Sequence, residues 1–238
     1  MGNRFAFVIP VFNARETIQQ MLLSVVAQSY PNWIMVIRDD MSTDGTPDII
    51  TRTANVLGIS DRIHLTVNTE KMWEVRNVLE ALKLCEEDDI VCRLDGDDWL
   101  CDLDALAIIN HRYETLNLDV LWTAHRWSYT NQNISGPLPL AADPYRHPWV
   151  SSHLKTFRKS LITDVDDQNF RAQDGEYFKR IGDQAIYLPV LHKASRWHYE
   201  PIVAYHYTID MKSETFQTDD AKFQRSEAEY LRRRGFIE

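Results

Sequence analysis

The 238-residue sequence is poor in cysteine, with three in all, and none falls at a metal-binding spacing. Cys85, Cys92 and Cys101 are odd in number, which does not suit a disulfide framework. They read as reduced thiols, so a cytosolic setting is expected. No apolar run approaches the roughly 18 residues of a membrane span. The first residues, "MGNRFAFVIPVFN", lack the apolar core and cleavage site of a signal peptide. Ala6 stands where a myristoylation signal needs Ser or Thr. Positive charge is the minority: 26 Lys and Arg face 35 Asp and Glu, for a net charge of −9. That balance disfavours a general nucleic-acid binder. Glycine-rich phosphate loops are missing too. After the first apolar run comes "PVFNARET", neither G-x-G-x-x-G nor Walker A. Dinucleotide and P-loop modes of phosphate binding are thereby excluded, and so is the Gly-rich basic loop of a typical nucleotidyltransferase. Repeats and low-complexity linkers are also absent, so one domain over residues 1–238 is expected.

What is present begins with alternation. "FAFVIP" (Phe5 to Pro10) reads as a buried strand. Ile18, Met21, Leu22, Val25 and Val26 follow at helical spacing, and Asn13 with Glu16 reads as a capping box. "WIMVIR" (Trp33 to Arg38) is a second strand; Thr46 and Pro47 open a helix running to about Leu57. "RIHLTV" (Arg62 to Val67), a helix through Val75, Val78, Leu79 and Leu82, and "DIVCRL" (Asp89 to Leu94) complete the series. This β-α-β-α-β-α-β order predicts a mostly parallel Rossmann-like sheet with helices on both faces. The second half is less regular. It has a helix from about Asp102 to Leu116, a strand "DVLWTAHRW", an aromatic stretch from Asn131 to Val150, a helix over Asp183 to Ala194, a strand "PIVAYHY" and a charged C-terminal helix to Arg234.

Ligands of such sheets bind beyond the carboxyl ends of the strands. Asn13, Asp39-Asp40, Asn68 and "DGDD" (Asp95 to Asp98) all fall there. Carboxylates this close repel one another unless a cation or water stands between them. Hard oxygen ligands suit Mg²⁺ or Mn²⁺, and a divalent cation can neutralise a departing diphosphate.

The run "FVIPVFNARETIQQMLLSVVAQSYPNWIMVIRDDMSTDGT" resembles the N-terminus of the family 2 glycosyltransferases, which have the GT-A fold. Pro10, Phe12-Asn13, Glu16, Ser24, Gln28, Tyr30-Pro31 and Asp39 to Thr46 carry the likeness, and "RLDGDD" falls where the family has its D-x-D. Met41 departs from the family's usual glycine. "NTEKMWEVRN" replaces a Gly-rich segment while keeping Arg76-Asn77. The resemblance implies an inverting, metal-dependent enzyme that moves a sugar from a nucleoside-diphosphate donor, expected to be a UDP-sugar, to an acceptor hydroxyl. About residues 1–100 would bind the donor, and about 101–238 would form a mixed acceptor side. Asp39 would accept from the base, uracil N3. Pro10, Phe12 and Asn13 would line base and ribose, and Arg76 would also serve the donor. Asp95 would contact ribose or metal-bound water, and Asp97 would ligate the metal. Asp98 would be a second ligand or a helix cap. His206, in "VAYHYT", is a further candidate metal ligand, as some GT-A enzymes use a late His.

More loosely, "DGEYFKRIGDQAIYLPVLHKA" resembles the family segment carrying the catalytic carboxylate, usually Glu-Asp or x-Asp opening a helix. Asp183 is the expected base and Asp174 the competitor. Trp73, Trp122, Trp127 and Trp149 are candidate stacking rings, with core packing the better reading of Trp122. From His125 to Ser160 the chain places Arg126, Arg146, Lys155, Arg158 and Lys159 against Asp143 alone, among aromatic residues. Arg146, Trp149 and Lys155 are therefore expected to bind the acceptor, and an anionic acceptor fits: a phosphorylated glycan, a lipid-linked sugar or hydroxymethylated DNA. The contrasting reading is a non-catalytic sugar-nucleotide or glycan-binding module.

Overall fold

The computed structural model describes residues 2–209 and 218–238. Strands β1 (Phe5–Val11), β2 (Trp33–Asp39), β3 (Ile63–Val67) and β4 (Ile90–Arg93) are joined through helices α1 (Ile18–Val26), α2 (Thr46–Leu57) and α3 (Trp73–Leu82). After β5 (Trp99–Leu100) come α4 (Ala105–Leu116), β6 (Val120–Trp127), β7 (Lys155–Arg158) and the single turn α5 (Ser160–Thr163). The chain ends with α6 (Gly182–Lys193), β8 (Trp197–Tyr207) and α7 (Thr218–Arg234). All eight strands form one sheet in the order β3-β2-β1-β4-β7-β6-β8-β5. β1 to β4 pair in parallel; β7 runs antiparallel to both β4 and β6; β6 and β8 are again parallel. One sheet therefore runs through both halves of the chain, parallel where the α/β alternation is regular and mixed beyond β4.

The two-residue period of the strands decides which of two cores each residue joins. Phe5, Phe7 and Ile9 of β1 join a core with α1, α2 and α4, while Ala6 and Val8 join a second core with α3, α6 and α7. α6 is apolar nearly all round, and Ala185 to Leu191 are buried without interruption. A helix of that kind is enclosed by protein, which is why its N-terminus can carry an ionised group into the interior.

The regular first half matches the expected elements to within a residue or two. Three local readings are corrected, and one strand, β7, was not expected. Asn13 is no cap: it has φ +49° and its Oδ1 accepts from Thr43 N, so α1 starts only at Ile18. The helix expected from Asp102 begins at Ala105. β7 carries four residues, too few to show a period. β8 starts at Trp197 instead of Pro201, because Pro201 lies in a bulge. Thr123 pairs with Glu200, the next residue Ala124 pairs with Val203, and the proline needs no ladder hydrogen bond in between.

The last strand is tied to the end of β4 by Tyr205. Its fully buried hydroxyl donates to Asp98 Oδ2 at 2.7 Å, and Thr208 N donates to Asp98 Oδ1 at 2.7 Å. Asp98 is thus a structural anchor and caps no helix. Replacing Tyr205 by Phe leaves a buried carboxylate oxygen without its donor, and should lower unfolding stability by about 1–3 kcal/mol in denaturant titration.

Candidate active site

The carboxyl-end rim is laced together by side chain to backbone bonds. Asn13 N donates to Ser42 Oγ at 2.8 Å, and Asn13 Oδ1 accepts from Thr43 N at 2.9 Å. Arg15 N donates to Asp44 Oδ2 at 2.9 Å, and Ala14 N to Thr46 Oγ1 at 3.0 Å. The loop after β1 is thereby fixed against the loop after β2. Asp39, wholly buried, accepts from Ser42 N at 2.8 Å through Oδ1, while its Oδ2 has no partner among the described residues. Half-buried Pro10 and half-exposed Phe12 (52 %) flank this position. Arg76 pairs with Glu70 at 2.9 Å.

Asp40 does a different job. It accepts from Asn68 Nδ2 (2.9 Å), Met72 N (2.7 Å) and Trp73 N (3.0 Å), and pairs with Lys71 at 3.2 Å. Burial works to raise its pKa, but the bonds from Met72 and Asn68 and the charge of Lys71 outweigh it and hold the group below the ordinary carboxylate range. These bonds pin the start of α3, where Trp73 takes φ +61°. Lys71 Nζ lies 3.1 Å from the Phe12 ring centre, and the Arg180 guanidinium 4.8 Å from that of Trp73.

The centre of the site is a charge network at the end of β4. Arg93, 2 % exposed, donates to Val8 O (3.0 Å), Glu74 Oε1 (2.8 Å) and Asp95 Oδ1 (2.9 Å). Directly opposite it across the antiparallel β4–β7 pairing stands Lys155, 1 % exposed. Lys155 Nζ lies 2.5 Å from Asp183 Oδ1 and 3.2 Å from His153 Nδ1. His153 Nε2 is 3.6 Å from Asp183 Oδ2. Ligand atoms of Asp95, His153 and Asp183 all fall within 4.8 Å of one another, which could hold a metal ion. The Lys155 ammonium already provides the positive charge there. Burial tends to raise Asp183, but Lys155, His153 and Arg93 together hold it far below the usual carboxylate range. Glu74 goes the other way: burial, against the pull of Arg93 and with the repulsion of Asp95 and Asp183, pushes it up to about 7. Burial, then Lys155, lowers His153 to about 3, so its imidazole is neutral.

Of the expected site residues, Asp183 and Asp95 are brought together. Asp97 is exposed beside them on the rim, and Thr208 Oγ1 donates to its backbone carbonyl at 2.6 Å. Asp174 lies in an exposed turn, where its carboxylate accepts from Glu176 N at 3.0 Å. His206 is outside the cluster: its ring stacks on Trp99 with centres 4.0 Å apart, and its Nδ1 is buried without a partner among the described residues. Burial, then Arg126, lowers its pKa, and a neutral imidazole can leave that nitrogen bare.

The expected cationic face is not assembled. Lys155 points inward at Asp183. Arg158 pairs with Ile90 at the opposite end of β4, donating to Leu118 O, and Lys159 is paired with Glu87. Only Arg126 and Arg146 of the five are exposed; Arg146 stands 4.0 Å from Asp143. Trp122 is core, as its pattern suggested, with Nε1 donating to Gly136 O. Trp149 packs edge-on against Tyr187, and Trp127 donates to His125 Nε2. A cavity of about 310 Å³ between Leu140, Asp143, His192 and Trp197 sits at the far end of α6 and shares no residue with the carboxylates.

Sequence reasoning missed Glu74, Arg93, the inward role of Lys155 and the place of His153 beside Asp183. Arg93 left a signal, a lone cation inside the buried run "DIVCRL". Glu74 left none.

The model of the family described as Glycosyl transferase family 2 matches residues 6–182. TuaG of Bacillus subtilis (strain 168), provisionally assigned as a teichuronic acid biosynthesis glycosyltransferase, is 38% identical over 96 residues, 40% of this chain and 36% of its own. The poly(ribitol-phosphate) beta-N-acetylglucosaminyltransferase TarS of Staphylococcus aureus (strain Mu50 / ATCC 700699) is 30% identical over 120 residues, 48% of this chain and 20% of its own. The chain thus spans about a third or less of these curated relatives. The crystal structure of S. aureus TarS 1-349 with UDP-GlcNAc superposes with a TM-score of 0.73 at 19% identity, covering 94% of this chain and 65% of that one. The mannosyltransferase PcManGT from Pyrobaculum calidifontis, in complex with GDP-Man and Mn2+, gives 0.60 at 20% identity, covering 91% and 60%. Both share the fold.

The Lys155–Asp183 pair gives a direct test. Lys155→Met leaves a buried carboxylate without its ammonium and should cost about 3 kcal/mol in chemical denaturation. Asp183, lowered in the fold from its ordinary 3.8, contributes stability that is full above that value and is lost as the pH falls below it. In Lys155→Met the acid-unfolding midpoint should therefore move to higher pH, as read by circular dichroism.

Proposed function

The chain belongs to glycosyl transferase family 2, and on that premise we propose that it transfers a sugar from a nucleoside-diphosphate sugar to an acceptor hydroxyl in one inverting displacement. A UDP-sugar is the donor we infer, since TarS, whose fold the chain shares, has been solved with UDP-GlcNAc. One observation supports the reading most: the start of α6 brings Asp183 into the neighbourhood of Asp95, so a candidate base and the D-x-D-D turn share one site.

In this reading Pro10, Phe12 and Asn13 line the base and ribose, and the unpartnered Oδ2 of Asp39 accepts from the base. Arg76 and Asp95 face the ribose and diphosphate. The exposed carboxylate of Asp97 offers hard oxygen to Mn²⁺ or Mg²⁺. A divalent cation bound there supplies the counter-charge for the departing nucleoside diphosphate, so the leaving group needs no proton. Asp183, kept ionised by Lys155, takes the proton of the attacking hydroxyl as the new C–O bond forms. Its position at the N-terminus of α6 adds the helix dipole to the same stabilisation. Asp174, in its exposed turn, is the weaker candidate for this role. The dispersal of the basic residues gives no support to DNA or another strongly anionic acceptor.

Incubation with a panel of UDP- and GDP-sugars, with and without Mn²⁺, should release nucleoside diphosphate only with metal; a chain that leaves every donor intact is a binding module. Asp97→Asn should lower turnover by about a hundredfold. Asp183→Asn should lower transfer by about 10²–10⁴-fold while donor affinity, read by calorimetry, stays within a few-fold. Loss of donor affinity in Asp183→Asn, in a folded variant, would place that residue on the wrong substrate.

A further inference from the structure

α3 carries a third carboxylate to the neighbourhood of Asp183. Glu74 is the second residue of that helix, and its approach is fixed from both ends. Behind it, Asp40 holds the backbone N–H groups of Met72 and Trp73. In front, Arg93 grips Glu74 Oε1 at 2.8 Å and is itself held to Val8 O and Asp95. Beyond Glu74 lies Gly182, the residue before Asp183. A Cβ at Gly182 would fall 2.0 Å from Glu74 Cδ and 2.2 and 2.3 Å from its two oxygens. A side chain at position 182 would require the Glu74 carboxylate to leave its place beside Arg93. The carboxylate from α3 fills the volume that a side chain at the first position of α6 would otherwise take.

Glu74 is not wholly enclosed; its side chain is 32 % exposed. Arg93 uses Oε1 only, and among the described residues no donor reaches Oε2. An open acceptor oxygen, rigidly mounted next to the residue that would deprotonate the incoming hydroxyl, suits a second hydroxyl of the same molecule. Arg93 and Lys155 are already paired with Glu74, Asp95 and Asp183, so a phosphate at this spot would add negative charge with no cation left to meet it.

Building on the transferase reading, we propose that Glu74 belongs to the acceptor subsite. Its free oxygen accepts a hydrogen bond from a hydroxyl neighbouring the one that attacks, so the acceptor is a polyol, a sugar or sugar alcohol uncharged at its reacting end, and not an isolated alcohol. The raised proton affinity of Glu74 agrees with a carboxylate that gains from a hydroxyl donor.

The test uses the donor that the panel identifies, with Mn²⁺, and as acceptor probes methyl glycosides, their monodeoxy analogues and simple alcohols. Glu74→Ala should lower acceptor kcat/KM by about tenfold more than it lowers donor hydrolysis. The deoxy analogue lacking the recognised hydroxyl should lose a similar factor with the wild type, and little further with Glu74→Ala. Glu74→Gln, which keeps the shape and a neutral acceptor oxygen, should lie between. In the double variant Glu74→Ala/Gly182→Glu, the new side chain enters the vacated volume and should recover part of the loss. Equal falls in hydrolysis and transfer, with no discrimination among the deoxy probes, would make Glu74 a mere prop for Arg93 and overturn the inference. Glu74→Ala with wild-type acceptor kinetics would overturn it too. If the wild type turns over no donor at all, the transferase reading itself fails, and this inference with it.

Discussion

Arg93 and Lys155 face one another across the β4–β7 pairing, both buried, at the sheet end where Glu74, Asp95 and Asp183 converge. Removing a charge from water costs several kcal/mol per ion unless partners replace the lost solvation. Two cations against three carboxylates nearly balance, and each carboxylate has a cation within 3 Å. The site depends on this arrangement. Without Arg93 the first and second acids would repel, and without Lys155 the third would be driven to take a proton. The network also explains opposite behaviour in neighbouring groups. Asp183, gripped by an ammonium, is held ionised, while burial, only partly offset by an Arg93 that is shared with Asp95, pushes Glu74 up to about 7.

Around that centre, the rim is stiffened by bonds that use nearly every polar side chain of the two loops after β1 and β2. Asn13, Ser42, Asp44 and Thr46 are occupied with backbone groups, which leaves Asp39 Oδ2 conspicuous as an acceptor without a donor. On the other side of the site, Asp98 and Tyr205 lock β8 to the turn after β4. The turn that presents Asp97 is therefore built from both halves of the chain. This is the physical content of a single sheet running through both halves of the chain.

Legibility differed along the chain for identifiable reasons. The first half was readable because each strand is flanked by a helix with a clear apolar period, and because strand ends in such a sheet are where ligands go. Asp39, Asp95 and Asp97 could be named from that alone. β7 could not, since four residues show no period, and its register sets whether Lys155 points in or out. The placing of the cationic segment was hidden for the same cause: an antiparallel strand sends Arg158 and Lys159 to the far end of the sheet, away from Lys155. His206, named by type and position, stands apart from the Asp95–His153–Asp183 cluster, its ring stacked on Trp99.

By itself, then, the order of residues determined the α/β alternation, the family and the carboxylates at the strand ends, because each is written in local periods and short motifs. The pairing of those carboxylates with cations was decided only in three dimensions. Glu74 and Asp183 are distant in sequence and carry no shared motif. Their meeting depends on where α3 and α6 pack against one sheet, on the absence of a side chain at Gly182, and on Arg93 standing where both β1 and α3 can reach it. Long-range electrostatics of that kind has no signature in a window of sequence, because its energy exists only once the groups are buried together.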